Sequence, residues 1–353
     1  MGEISCPNPV GVVADHYYTG VSPETYINLI DALGYHELTT QTKIPVGSVS
    51  QDRRRVWILP LKSTYPVMIN CDSGTLRYGG NMLNFAATLD TVSKALHQRS
   101  VVKSVHVPVE LYNHLSDLYN LPFRPIDFSA RHNAIISPSD PKQHRITLSC
   151  PAKIRTQLSA KHFRDESEIF VTGILAEISR QNLPYGGSQI ILSPNSSDLA
   201  AIEDGKVSHE VFQHVGMTGM NLGEASRIAG SYFPGYNDPY MAIRQLVQES
   251  GIITNEKEPA YYWRGDEDGW VNPVEESELK EMVNQLKLVA PARNPNGCGD
   301  AAFAGFYGSR DLPIEDSARI AMLTAGLVYC LDLSNLGMLD PKILQQTYSF
   351  GTN

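Results

Sequence analysis

The chain predicts an α/β architecture, a central and mostly parallel sheet flanked by helices with a small β-rich lid, on three observations. From residue 168 onward, short apolar or β-branched runs alternate with segments of helical spacing, the pattern of parallel strands joined by crossover helices. The stretch from 40 to 70 is instead rich in β-branched residues, and 125–150 reads as extended hairpin material, as a β-rich excursion would. Glycine pairs stand where turns lead into helical spacing, at Gly79-Gly80 and at Gly297-Cys298-Gly299.

Taken in order, Pro9 to Asp15 reads as a short buried first strand ending in a carboxylate. Ser22-Pro23 is a cap followed by proline at the first helical position, opening a helix to Leu33. The 40–70 stretch ends in the strand-like Val67-Met68-Ile69-Asn70. Leu76 to Leu89 passes through Gly79-Gly80 into an apolar helix, and Val101 to Pro108 is a strand. Residues 125–150 turn around Ser137-Pro138-Ser139-Asp140-Pro141. Strands follow at Glu168–Thr172, Gln189–Leu192, Val215–Met220, Ile252–Thr254 and Ala260–Trp263. Helices are expected at Val207–Val215, from Glu224 to Ala229, at Tyr240–Ser250, Asp300–Tyr307 and Ser317–Leu331, with Glu275–Val289 mixed. Neither a repeat nor a long linker appears, so residues 1–353 are read as one domain, its lid drawn from 38–75 and 125–150.

With 353 residues the chain can bury a sizeable core, and 42% apolar with 19% charged residues is a soluble composition. A net charge of -9 argues against nucleic acid as the main partner, since phosphate-backbone binding needs basic excess. The five cysteines are scattered without a C-x-x-C pair, which suggests neither a zinc knuckle nor a disulfide framework and fits a reducing cytoplasm. Neither a leader pattern nor a myristoylation pattern is present at the N-terminus. The longest apolar run, Ala318 to Leu333, is broken by Arg319, Thr324 and Asp332, so it reads as a buried helix and no membrane partner is expected.

The strongest chemical signal is Asn296-Gly297-Cys298-Gly299-Asp300. Two glycines at a helix start let backbone N–H groups approach an anion, and the helix N-terminus favours negative charge there. Asp300 beside them could accept a hydroxyl proton. The plainer reading is a strand-to-helix turn with an acidic cap. The letters also fit G-x-G-x-x-A, but only 53 residues follow Asp300 and they read as helices, without the βαβ unit a dinucleotide site needs. Asn221-Leu222-Gly223-Glu224 offers an amide and a carboxylate three residues apart, suited to a hydrated Mg²⁺ near phosphates and equally to a capping box. Gly79-Gly80-Asn81-Met82-Leu83-Asn84 exposes N–H groups with Asn84 about one helical turn on, as a substrate turn or as a plain turn into a core helix. Gly265-Asp266-Glu267-Asp268-Gly269 lacks Ca²⁺-loop spacing and reads as a solvated hairpin turn, and Arg53-Arg54-Arg55 as a solvated face. The histidines show no metal-ligand spacing, and Cys298 between glycines reads as part of the cradle rather than a nucleophile.

In this order, the motifs resemble the ribokinase-like (PfkB) carbohydrate and nucleoside kinases over most of the chain. The resemblance rests on Asp15, on Gly79-Gly80 with Asn84, on His144-Arg145-Ile146-Thr147, on Ser193-Pro194-Asn195, on Asn221 with Glu224, and on Asn296 to Asp300. It implies an ATP- and Mg²⁺-dependent kinase that phosphorylates a hydroxyl of a small sugar or sugar-like acceptor. Asp300 is then the base, and the N–H groups of Gly297, Cys298 and Gly299 hold the transferring phosphoryl group. The implied acceptor residues are Asp15, Gly79, Gly80, Asn81, Asn84 and Arg145; the implied nucleotide residues are Asn195, Asn221, Thr254 and Asn296; Glu224 and Asn221 handle the metal. A monovalent cation and a homodimer through the lid are further implied. Two alternatives stand beside this: a nucleoside kinase, with Trp57 or Phe123 stacking on the base, and a silent kinase-like binding or assembly protein. The family's nucleotide loop Thr-x-Gly-x-x-Gly is here Thr254-Asn255-Glu256-Lys257-Glu258-Pro259, without either glycine. Asn294-Pro295-Asn296 replaces the usual Asp-Thr-Thr, and the stretch from Asp15 to Gly79 is longer than usual, which implies an enlarged lid.

Overall fold

The structure is a computed structural model that describes residues 15–19, 55–58, 67–70, 77–79, 81–126, 132–137, 146–150, 168–180, 189–285, 288, 297–331 and 335–350. The chain divides into two compact units, one of residues 1–80 and 106–157, the other of residues 81–105 and 158–353.

The first unit is built of strands. β1 (Asp15–Thr19), β4 (Arg77–Gly79), β7 (His132–Ser137) and β8 (Ile146–Cys150) form a four-stranded sheet in the order β4-β1-β7-β8. β1 runs antiparallel to β4 and parallel to β7, and β7 and β8 form the antiparallel pair expected from 125–150. β2 (Arg55–Ile58) and β3 (Val67–Asn70) make a separate antiparallel ribbon. β5 (Val105–Pro108) pairs with β6 (Phe123–Ile126). A strand was expected over Pro9 to Asp15; residues 9–14 lie outside the described residues, and the described strand starts at Asp15 and runs on through His16-Tyr17-Tyr18-Thr19, aromatic and β-branched residues that strands favour. The expected helix from Ser22 to Leu33 lies outside the described residues.

The second unit holds a six-stranded sheet, ordered β14-β13-β12-β11-β10-β9. Its strands are β9 (Glu168–Val171), β10 (Gln189–Leu192), β11 (Val215–Asn221), β12 (Ser250–Asn255), β13 (Glu258–Arg264) and β14 (Glu267–Val271). β9 to β12 are mutually parallel, and β13 and β14 return antiparallel. The first six residues of β11 are all buried, as a strand covered on both faces requires.

The helices, in chain order, are α1 (Asn81–His97), α2 (Val109–Leu118), α3 (Leu175–Arg180), α4 (Ser196–Glu203), α5 (Leu222–Tyr232), α6 (Pro239–Leu246), α7 (Glu276–Gln285), α8 (Cys298–Gly308), α9 (Ile314–Cys330) and α10 (Pro341–Phe350). Strand alternation sorts the large sheet's side chains between two cores. Ile190, Leu192, Ile253, Tyr261 and Trp263 meet α3, α4, α5 and α6 on one face. Ile191, Ile252, Ala260 and Tyr262 meet α1, α8 and α9 on the other. The expected helix Val207–Val215 is only a 3-10 turn, His209–His214, capped by Ser208 and ended where the chain enters β11 at Val215. Glu276–Gln285 is a regular helix where mixed structure was expected. At 265–269 the turn is confined to Gly265 and Asp266; Asp268 lies on β14 and pairs with Arg244 of α6.

Candidate active site

α8 opens on Gly297, whose φ of 83° is left-handed and suits glycine alone without strain. As a glycine, Gly297 offers the helix start no capping side chain of its own. A Cβ built on Gly299 would meet nothing within 4 Å, so internal packing does not demand glycine there. Beyond that turn α8 is buried from Ala301 to Gly308. It packs closely on its neighbours: a Cβ at Gly219 of β11 would strike the Phe303 ring at 2.2 Å, and one at Gly305 would reach the Ala321 Cα at 2.9 Å. The open turn therefore sits on a tightly held helix.

Asp300, in the first turn of α8, accepts a hydrogen bond from Asn84 Nδ2 at 3.1 Å. Asn84 lies in the first turn of α1 and is 6% exposed. Its Oδ1 accepts in turn from Asn335 Nδ2 at 3.4 Å. Two motifs separated by 216 residues are thus joined at one carboxylate. Cys298 packs its side chain against a core that includes Leu323, Leu327 and Cys330. Burial, helped by the neighbouring Asp300 charge, pushes its thiol up to about 12. A thiol held neutral is no nucleophile at neutral pH, in line with a cradle rather than covalent chemistry.

The other candidate residues of this unit line the carboxyl ends of adjacent parallel strands, where open α/β sheets bind ligands. Asn195 follows β10 and caps α4, its Oδ1 accepting from Ser197 N at 2.8 Å and Asp198 N at 3.3 Å. Asn221 ends β11, in register with Thr254 of β12. Thr254 Oγ1 donates to Met220 O at 3.5 Å. Asn221 and Glu224 form the capping box: Asn221 Oδ1 accepts from Glu224 N, and Glu224 Oε2 accepts from Asn221 N, both at 2.9 Å. One amide oxygen and one carboxylate, exposed or half-exposed, make a hard-oxygen set that fits Mg²⁺ through its waters. Among the described residues, no group of three or more His, Cys, Asp or Glu side chains is placed to hold a metal.

The altered loop is a tight hairpin between β12 and β13, with Asn255 opposite Glu258. Glu256 there has a φ of 48°, a left-handed conformation in a residue with a side chain. It occupies the position of the resembled family's first glycine.

In the first unit, Asp15 lies directly opposite Gly79 across the β1–β4 pair. Asn81 is the first residue of α1, in the second unit. Gly80, Arg145 and Asn296 lie outside the described residues, as does the side chain of Trp57. Phe123 is 8% exposed and belongs to the interior. The sequence reading missed Asn335, whose Ser-Asn-Leu-Gly context looks like an ordinary turn. It also missed the buried Asp198 carboxylate, which accepts from the N–H groups of Gly173, Leu175 and Asn195.

The structure superposes on solved kinases of one architecture. A nucleoside kinase from Burkholderia thailandensis in complex with inosine matches with a TM-score of 0.60 and 14% identity, over 95% of this chain and 93% of that one. A ribokinase from Arabidopsis thaliana complexed with ribose and ATP matches at 0.57 and 13%, over 96% of each chain. A ribokinase from Thermotoga maritima matches at 0.56 and 10%, over 96% of this chain and 98% of that one. No protein-family model matches the chain, and no curated protein matches it in sequence. The chain has the ribokinase-like fold.

Proposed function

We propose that the protein is a kinase that transfers the γ-phosphoryl group of MgATP to a hydroxyl of a small sugar or sugar-like acceptor. The observation that carries this reading is the junction of α1 and α8, where the Asn84 amide holds the Asp300 carboxylate beside a helix start made by a left-handed glycine. Phosphoryl transfer asks a protein mainly for positioning and charge stabilisation, and these are the parts assembled here.

In this reading Asp300 takes the proton from the acceptor hydroxyl as its oxygen attacks. The N–H groups of Gly297, Cys298 and Gly299 point at the equatorial oxygens of the group in flight and stabilise its charge. The neutral Cys298 thiol adds no negative charge to that cradle. Asn81 and Asn84 hold acceptor hydroxyls. Asn195, Asn221 and Thr254 hold the nucleotide phosphates from three adjacent strand ends, and Asn221 with Glu224 orients the hydrated Mg²⁺. When bound, that ion neutralises phosphate charge.

The donor side departs from this scheme. Glu256, Lys257 and Glu258 bring net negative charge to the hairpin where glycine N–H groups would face a phosphate. ATP therefore binds weakly to the free protein and more tightly once acceptor is present, a positive coupling between the two ligands. Calorimetry of MgATP with and without ribose or inosine tests this. Equal, tight binding in both conditions removes the coupling, and no nucleotide binding in either favours a silent kinase-like binding protein. The solved inosine complex on the same fold makes nucleosides the second acceptor class to screen.

A further inference from the structure

We propose that Asn335 is a positioning residue of this site, fixing the Asn84 side chain with its NH2 group on Asp300. The argument is one of direction. A backbone N–H can only donate, and Gly337 N donates to Asn335 Oδ1 at 3.0 Å. That bond settles which end of the Asn335 amide faces which way, and it leaves Nδ2 directed at Asn84 Oδ1, at 3.4 Å. Asn84 is fixed in turn, with its own Nδ2 on the Asp300 carboxylate at 3.1 Å. The opposite orientation of Asn84 would set two oxygens against each other at Asp300. A backbone group thus determines, through two amides, that the carboxylate meets a donor.

The segment that carries Asn335 is itself clamped onto α1. Leu336 N donates to Thr88 Oγ1 at 3.1 Å, and Thr91 Oγ1 donates to Leu336 O at 3.0 Å. Thr88 and Thr91 are 0% and 2% exposed, Asn335 5% and Asn84 6%, so these bonds are closed to water. Buried polar groups with fully satisfied partners rigidify what they hold, and here that is the side chain touching the carboxylate. Thr88 and Thr91 are among the polar residues that α1 buries, and these bonds account for their polarity there.

The proposal rests on Asp300 being the base, and the test separates the two. Asn335→Asp is isosteric and keeps the acceptor for Gly337 N but puts an oxygen against Asn84 Oδ1, which turns the Asn84 amide over. Asn335→Ser serves if that variant fails to fold. The Asn84 side-chain NH2 cross-peaks of the deuterated full chain are identified by their loss in Asn84→Ser. They are expected to move in Asn335→Asp as they do in Asp300→Asn. With ribose and inosine as acceptors, kcat is expected to fall about 10–10²-fold while the KM for MgATP stays within about twofold, the mark of a misplaced reacting group. Unmoved Asn84 cross-peaks in a folded Asn335 variant overturn the relay, as do moved cross-peaks with unchanged kcat. Wild-type turnover by Asp300→Asn overturns the base instead, and leaves the relay to the spectra.

Discussion

Two helix starts, those of α5 and α8, solve the same local problem in opposite ways. Each must deal with N–H groups that have no partner within the helix. α5 begins on Asn221, whose side chain takes the Glu224 N–H, while Glu224 reaches back to the Asn221 N–H. α8 begins on a left-handed glycine with no side chain to offer. The first start spends its donors on itself and keeps carboxylate and amide oxygens facing out. The second has no capping side chain of its own, and its carboxylate is held from another helix. One end is therefore suited to a cation and the other to an anion, as a metal–phosphate ligand would require.

The sharpest way to break this contrast is Asp300→Asn. The loss of the base is expected to lower kcat about 10²–10⁴-fold with an unchanged melting temperature. Turnover near the wild-type rate would leave α8 with an anion site and no chemistry. Next comes the thiol within the same turn. A thiol at about 12, against 9.0 for an ordinary one, carries about 10³-fold less thiolate at pH 8. Iodoacetamide is expected to label Cys298 in the native protein that much more slowly than in the unfolded chain, by peptide mass spectrometry. The sign for stability follows from the same shift. The unfolded chain loses this proton from about pH 9 while the native chain keeps it, so stability falls as pH rises above that value.

The α5 end can be dissected with a pair of substitutions. Glu224→Gln retains a capping side chain but removes its charge, so the Mg²⁺ concentration for half-maximal activity is expected to rise several-fold with little change in stability. Asn221→Ala removes the cap and is expected to cost about 1 kcal/mol by urea unfolding. Equal metal dependence in wild type and Glu224→Gln would reduce α5 to a capped helix. The smallest effect is expected from Glu256→Gly. Relief of the left-handed conformation, partly offset by the freer unfolded chain, is worth about 1 kcal/mol or less. The same change is expected to tighten MgATP binding to the free protein, by calorimetry; unchanged affinity would show that the hairpin does not face the donor.

What the sequence made legible was local. Glycine next to an acidic helix start, the three-residue spacing of Asn221 and Glu224, and the alternation from 168 onward are patterns within one or two turns, and backbone geometry follows from them directly. The expected 207–215 helix is a 3-10 turn instead, with β-branched Val207 and Val215 flanking it and the chain entering β11 at Val215, a strand pairing the helical spacing does not reveal. Asn335 was not legible at all. Its partner lies 251 residues away, and no spacing rule links a turn asparagine to the first turn of a distant helix. Asp198 was hidden differently: it reads as an ordinary acidic third helical residue, and its bonds to Gly173 and Leu175 depend on the neighbouring strand end.

The Asn84–Asp300 bond has a consequence for how the molecule is made. Ribosomes add roughly 5–20 residues per second, so the 216 residues between the partners separate their emergence by about 10–45 s. During that interval α1, with twelve residues destined for the interior, has been synthesised without the helix that covers it. The unit that contains it is interrupted by residues 106–157 and cannot be completed until the far end of the chain arrives. Nascent chains therefore carry a long helix with its buried face uncovered, a natural client for holding chaperones, and chains truncated before α8 are expected to be not merely inactive but prone to aggregate.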